Sequence, residues 1–150
     1  MPEKDLEEYS LADVVGVYAA RILGNINYIV MIRGADWGDL VLPIFIGEAE
    51  AAAIEAALKG FIPRRPMTHD LVVNMLDALG VKVERITIDA LINNIYTATI
   101  VLRDDKDRLY YVDARPSDSI AIALRARSPI YVAERLKEYA VSEKEMELPG

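Results

Sequence analysis

The stretch Tyr96-Thr-Ala-Thr-Ile-Val-Leu102 sets Tyr96, Ala98, Ile100 and Leu102 at every second position, with Thr97, Thr99 and Val101 between them. A repeat of two belongs to a strand with one face turned to a core. Asn93-Asn94 precedes this run, and Asp104-Asp-Lys-Asp107 follows it; both read as hairpin connections. The segment from Val81 to Val112 is therefore expected to form a three-stranded antiparallel meander. The apolar phase changes between Val81/Val83 and Ile86/Ile88, which predicts a bulge near Glu84.

Three more strands read upstream. Asp13 to Arg21 and Tyr28 to Arg33 flank a turn marked by Gly24 and Asn25, and Leu40 to Ile46 follows Gly34 and Gly38. Pro43 inside the third run points to an edge strand or a bulge. Gly47 then opens a helix that Gly60 closes, with Ala51, Ile54 and Leu58 as its inward stripe. Phe61 to Pro66 reads as a constrained loop. A second helix begins with Thr68 as N-cap and stops at Gly80. The third begins near Pro116 or Ser117, and its body from Ile120 to Leu124 is apolar on every side, so the helix over 116–127 belongs in the centre of the domain. A short strand over 128–132 and a last helix over 133–139 complete the pattern. Strands in two runs joined by short turns place the chain in the α+β class. A largely antiparallel or mixed sheet of six or more strands and about four helices is expected.

Composition bounds the rest. The chain has 150 residues, 53% of them apolar, the size and balance of one globular domain. No Cys is present, so disulfides and thiolate zinc sites are excluded. Gln is absent too, a compositional hint of a thermophilic source. No signal peptide and no membrane-spanning run is legible, so a cytoplasmic protein is expected. The net charge is −7, but residues 1–9 carry four acids against one base and residues 137–150 four against two. The body between these acidic ends is nearly balanced, which disfavours a broad basic groove yet permits a local positive site. The high apolar share predicts a homo-oligomer, most simply a dimer.

Two segments echo each other. Arg65-Pro-Met-Thr-His-Asp70 and Arg115-Pro-Ser-Asp118 each set Arg-Pro, a hydroxyl residue and an acid at a helix start. Proline and a hydroxyl there are ordinary punctuation, with Thr68 and Ser117 as caps. The acid complements the helix dipole, whereas the Arg opposes it and needs an anion. That anion is either a carboxylate of the protein, such as Arg115 with Asp70 or Arg65 with Asp118, or a bound phosphate held by the guanidinium and helix N–H groups. His69 is the single imidazole. It either orients the loop from a partly buried position or acts as a general base or metal ligand beside Asp70. Glu50, Asp70, Asp113 and Asp118 would suit a hard divalent ion if the fold gathered them. Each of the three helix-start acids also has a purely electrostatic role available. No phosphate-cradling glycine loop and no nucleophile elbow occurs.

Three blocks together, I-F-I-G-E-A-E-A-A-A-I from Ile44, R-P-M-T-H-D-L from Arg65 and V-D-A-R-P-S-D-S-I-A-I-A-L-R from Val112 followed by P-I-Y-V-A, resemble the bifunctional nuclease domain family from about Val41 to Glu138. The resemblance implies a metal-assisted nuclease acting on DNA and RNA with Mg²⁺ or Mn²⁺. It carries over Glu50, Arg65, Thr68, His69, Asp70, Asp113, Arg115, Ser117 and Asp118; Met67 and Ser119 stand where Leu and Ala are usual. Residues 10–140 then form a single domain of this kind, between an acidic lead over 1–9 and an acidic tail over 141–150. On this reading His69, Asp70 and Asp118 are catalytic, and Arg65 and Arg115 hold phosphate. Glu50, Asp70, Asp113 and Asp118 hold the ion. The alternative is a non-enzymatic module that binds an anion or partner through a structural Arg–Asp network.

Overall fold

The computed structural model describes residues 3–146. Eight strands form one sheet in the order β6-β5-β4-β7-β1-β2-β3-β8. They are β1 (Tyr9–Ile22), β2 (Asn25–Gly34), β3 (Leu40–Ile46), β4 (Lys82–Ile92), β5 (Ile95–Arg103), β6 (Leu109–Ala114), β7 (Ile130–Ala133) and β8 (Val141–Ser142). Three α-helices accompany them: α1 (Glu48–Leu58), α2 (Thr68–Ala78) and α3 (Pro116–Ala126). The class is α+β, as the two runs of strands required. Every pairing is antiparallel except β4 with β7, which α3 makes parallel by carrying the chain back across the sheet.

The expected meander is present as β4-β5-β6, and its register shifts between Val83 and Arg85, at the anticipated bulge. A second shift, between Ile88 and Ala90, left no sign in the apolar pattern. Pro43 sits where β8, which pairs only with Leu40 and Val41, has already ended, so its missing N–H leaves no ladder bond unmade on that side. The last helix, expected over 133–139, is a 3-10 helix over Glu134–Tyr139. The acidic tail over 141–150 would fray after Val141 if nothing in the fold held it. Instead Val141–Ser142 pairs with β3 and Glu143 forms an ion pair with Arg33; residues 147–150 lie outside the described residues.

The core lies where α3 meets the sheet. Ile120, Ala121, Ile122 and Ala123 of α3 are buried against Ile86, Ile88, Ala98 and Ile100 of the meander. α3 is accordingly the most buried helix, as its all-round apolar body demanded. α1 buries Ala51, Ala53 and Ile54, while Leu58 at its end is exposed, so the inward stripe stops one turn early. Among the described residues, no helix is long and apolar enough to cross a membrane.

Candidate active site

The chain enters α2 and α3 through extended residues. Met67 (φ −77°, ψ 172°) and Arg115 (φ −75°, ψ 148°) are the N-caps, and neither helix start has a side-chain cap bond from Thr68 or Ser117. The expected capping roles of Thr68 and Ser117 are corrected on this point. A residue before proline avoids the helical region, so α3 can begin only at Pro116, and the first intrahelical bond runs from Ser119 N–H to the Arg115 carbonyl at 3.0 Å. In α2 the register is set by Asp70, whose carboxylate accepts the Met67 N–H at 2.8 Å. Thr68 thus falls one residue inside its helix and Ser117 two.

The two helix starts lie side by side, and α1 closes the third side. Ala49, Glu50, Thr68, His69, Arg115 and Asp118 are among the residues lining a cavity of about 300 Å³ between the three helices. The Asp118 carboxylate bridges its two halves. Oδ1 meets His69 Nε2 at 2.9 Å, and Oδ2 accepts from Arg115 Nε at 2.9 Å. Arg115 also donates through Nη2 to Glu50 Oε1 at 3.5 Å. The result is a continuous chain, Glu50–Arg115–Asp118–His69. Glu50 reaches it by bending back over Gly47, where a β-carbon would collide with the Glu50 carboxylate.

The electrostatics follow from that chain. Burial works to raise the Asp118 pKa, but the hydrogen bonds from Arg115 and His69 and their charges outweigh it, holding the carboxyl below its ordinary value. Arg115 is in turn held more firmly protonated, chiefly by its bond to Asp118. An ionised carboxylate only accepts, so His69 Nε2 donates to it, and in the tautomer this requires the ring's lone pair stands on Nδ1. The imidazole is 14% exposed, whereas the Arg115 side chain is 65% exposed. The imidazole end of the chain is therefore held largely within the protein, while Arg115, inside the chain, presents guanidinium N–H groups to solvent.

The remaining candidates fall elsewhere. Asp70 turns away from the cavity to Arg125, whose Nε donates to its Oδ1 at 2.8 Å. Burial pushes the Asp70 pKa up, but the Met67 N–H and Arg125 bring it below the ordinary carboxylate value. Arg125 was not among the sequence candidates. The signal was available: a lone cation at the end of an apolar, buried helix needs a partner, and it is only 9% exposed. Arg65 lies exposed on the loop before α2 and is not one of the cavity's lining residues. Asp113 is exposed on β6 beside Thr99.

These positions bear directly on a divalent ion. Among the described residues no three His, Asp or Glu side chains converge as a metal-holding group. Glu50 and Asp118 both face the cavity, but the Arg115 guanidinium is bonded to both, and Asp70 is committed to Arg125. In this arrangement the four acids do not fit one ion, and an ion between Glu50 and Asp118 would have to displace the guanidinium.

Known proteins match most of the chain. Residues 30–145 fit the model of a family described as bifunctional nuclease domain. An uncharacterized protein of Mycobacterium tuberculosis is 44% identical over 106 residues, 71% of this chain and 62% of that protein. A protein of Oryza sativa subsp. japonica named bifunctional nuclease 2 is 31% identical over 109 residues, 71% of this chain and 34% of that protein. Its namesake in Arabidopsis thaliana is 30% identical over 109 residues, 71% of this chain and 33% of that protein. The matched region thus spans under two thirds of the mycobacterial protein and about one third of the plant ones.

Proposed function

The chain belongs to the bifunctional nuclease domain family, and from that premise we propose that it hydrolyses phosphodiester bonds of DNA and RNA at the cavity between α1, α2 and α3. The observation that carries the proposal is the chain Glu50–Arg115–Asp118–His69, which couples an exposed guanidinium to a part-buried imidazole through one carboxylate. The unengaged N–H groups of Arg115 bind a substrate phosphate oxygen. The N–H groups of Ser117 and Asp118, which precede the first intrahelical bond of α3, add to that attraction. His69 takes a proton from the attacking water on Nδ1, while Asp118 fixes the ring and stabilises the imidazolium. The new bond joins the water oxygen to phosphorus, the bond to one ester oxygen breaks, that oxygen takes up a proton from solvent as it leaves, and the imidazolium returns its proton to solvent.

A requirement for Mg²⁺ or Mn²⁺ belongs to the proposal through the family resemblance. Glu50 and Asp118 are the carboxylates facing the cavity. The test is cleavage of labelled single-stranded DNA and RNA by purified protein, with either ion and with a chelator. Cleavage that His69→Ala abolishes in a protein that stays folded supports the assignment. Cleavage at the wild-type rate in that variant sinks it.

The Arg–carboxylate lattice also favours a second reading, a module that binds an anion or partner without turnover. Phosphate binding that Arg115→Ala removes, in a protein without cleavage under any ion, would select this alternative.

A further inference from the structure

Arg115 belongs to two cavities at once. On its other side lies an open cavity of about 440 Å³, between the end of β3, the tip of the β4–β5 hairpin and the start of α3. Phe45, Ile95 and Tyr96 line it, with Asn94 at the hairpin turn. Arg115 is the one charged residue among its described lining. The walls are apolar yet open to solvent, Phe45 being 60% and Ile95 67% exposed. Apolar side chains of that size, open to solvent beside the Arg115 cluster, suit a ligand with an apolar face. The cavity volume is within the range of about 300–1,000 Å³ seen for small-ligand sites.

We propose that this cavity is a base subsite, which takes one unstacked nucleobase of a single-stranded nucleic acid while Arg115 holds the adjoining phosphate. The inference rests on the nuclease reading of the neighbouring cavity. A base offers a flat apolar face to Phe45 and Tyr96, and polar edges within reach of the Asn94 amide. Its own phosphate lies one sugar away, where the guanidinium stands between the two cavities. Asn93 and Asn94 both have positive φ, so the hairpin tip is a tight turn that holds Ile95 and Tyr96 in place. The charge of the body between the acidic ends is nearly balanced, which disfavours a basic groove along a backbone, so stacking must supply much of the affinity. A paired base cannot enter without leaving its stack, so duplexes are disfavoured.

Binding is measured apart from cleavage, by fluorescence anisotropy with phosphorothioate-linked probes. One probe is a labelled single strand, one is its duplex, and one is a strand of equal length made of abasic residues. The wild type should bind the base-bearing strand about 10-fold or more tightly than the abasic one, the yield of one stacked base. It should also prefer the single strand to the duplex. Phe45→Ala and Ile95→Ala change exposed residues, and a thermal melt checks that both variants fold. In each, the ratio of base-bearing to abasic binding should fall towards one. A ratio near one in the wild type, or a wild-type ratio in both variants, overturns the subsite. Cleavage of unmodified strands is read separately. Its absence removes the nuclease reading while the binding ratio still reports on the cavity, and its presence with a ratio near one removes the subsite alone.

Discussion

Asp70→Asn separates structure from chemistry at the helix starts. Its two oxygens satisfy the Met67 N–H at 2.8 Å and Arg125 Nε at 2.8 Å, and Arg125 is almost entirely buried. Asparagine keeps one acceptor oxygen for two donors, so one of them is left unmet and the guanidinium loses its counter-charge. A hydrogen bond to a charged group contributes about 1.5–3 kcal/mol. Outright removal of one partner of a buried pair costs about 3–5 kcal/mol. The isosteric change should fall between these, at about 2–4 kcal/mol. For a domain of this length that lowers the thermal midpoint by roughly 5–15 °C.

The pH dependence gives a second readout of the same variant. The folded-state pKa of Asp70 lies below its unfolded value of about 3.9. Its contribution is therefore fully present above about pH 5 and is lost as pH falls through the folded value. The stability gap between wild type and Asp70→Asn should be widest near neutrality and narrow on acidification below about pH 4. Urea unfolding at pH 7 and pH 3.5 measures both points. A variant as stable as wild type at pH 7 but unable to cleave would refute the reasoning and return Asp70 to the catalytic set.

Other outcomes follow from the same geometry. Gly47→Ala should cost under about 1 kcal/mol in stability, because only the end of a flexible Glu50 side chain must move. It should nevertheless weaken cleavage through loss of the Glu50–Arg115 contact, and unchanged turnover would show that this contact has no function. His69→Ala should slow cleavage by about 10²–10⁴-fold, and adding Asp118→Asn to it should cost far less than Asp118→Asn does alone, because both act on one proton. Additive losses in that cycle would separate the two residues. The exposed stripe of Leu71 and Met75 on α2, continued by Leu79 at its C-cap, is the expected face between two copies. Light scattering should report a dimer that Leu71→Lys with Leu79→Lys dissolves; a wild-type monomer at micromolar concentration would refute this.

Local patterns announced what local physics controls. The alternation from Tyr96 to Leu102 gave β5, and the all-apolar body of α3 gave its central place. The parallel pairing of β4 with β7 could not be read, because it rests on how far α3 carries the chain, not on the residues of either strand. At the site, the Arg-Pro echo correctly marked Arg115 as a cation needing anions. The choice of anion was tertiary. Asp70 was open to Arg115 in sequence, but α3 sets Arg125 against it, leaving Arg115 to Asp118 and Glu50. Arg65 shares the motif but not the cavity, since the loop before α2 runs over the surface.

Charge at the cavity leads to the last test. Two carboxylates face one guanidinium, so with a neutral His69 the cluster is negative before any phosphate arrives. A phosphodiester adds another negative charge and draws Arg115 towards itself, leaving Glu50 and Asp118 uncompensated. Added positive charge is then favoured, which is the physical case for a divalent ion in the proposed reaction. Arg115 and an ion therefore compete for the same oxygens. Arg115→Ala should weaken binding of a single-stranded oligonucleotide yet raise the affinity of the protein alone for Mn²⁺, read by calorimetry without substrate. Glu50→Gln combined with Arg115→Ala should abolish that gain. Equal Mn²⁺ binding by wild type and Arg115→Ala would show that these two carboxylates are not the ion's site, whatever the cleavage assay requires.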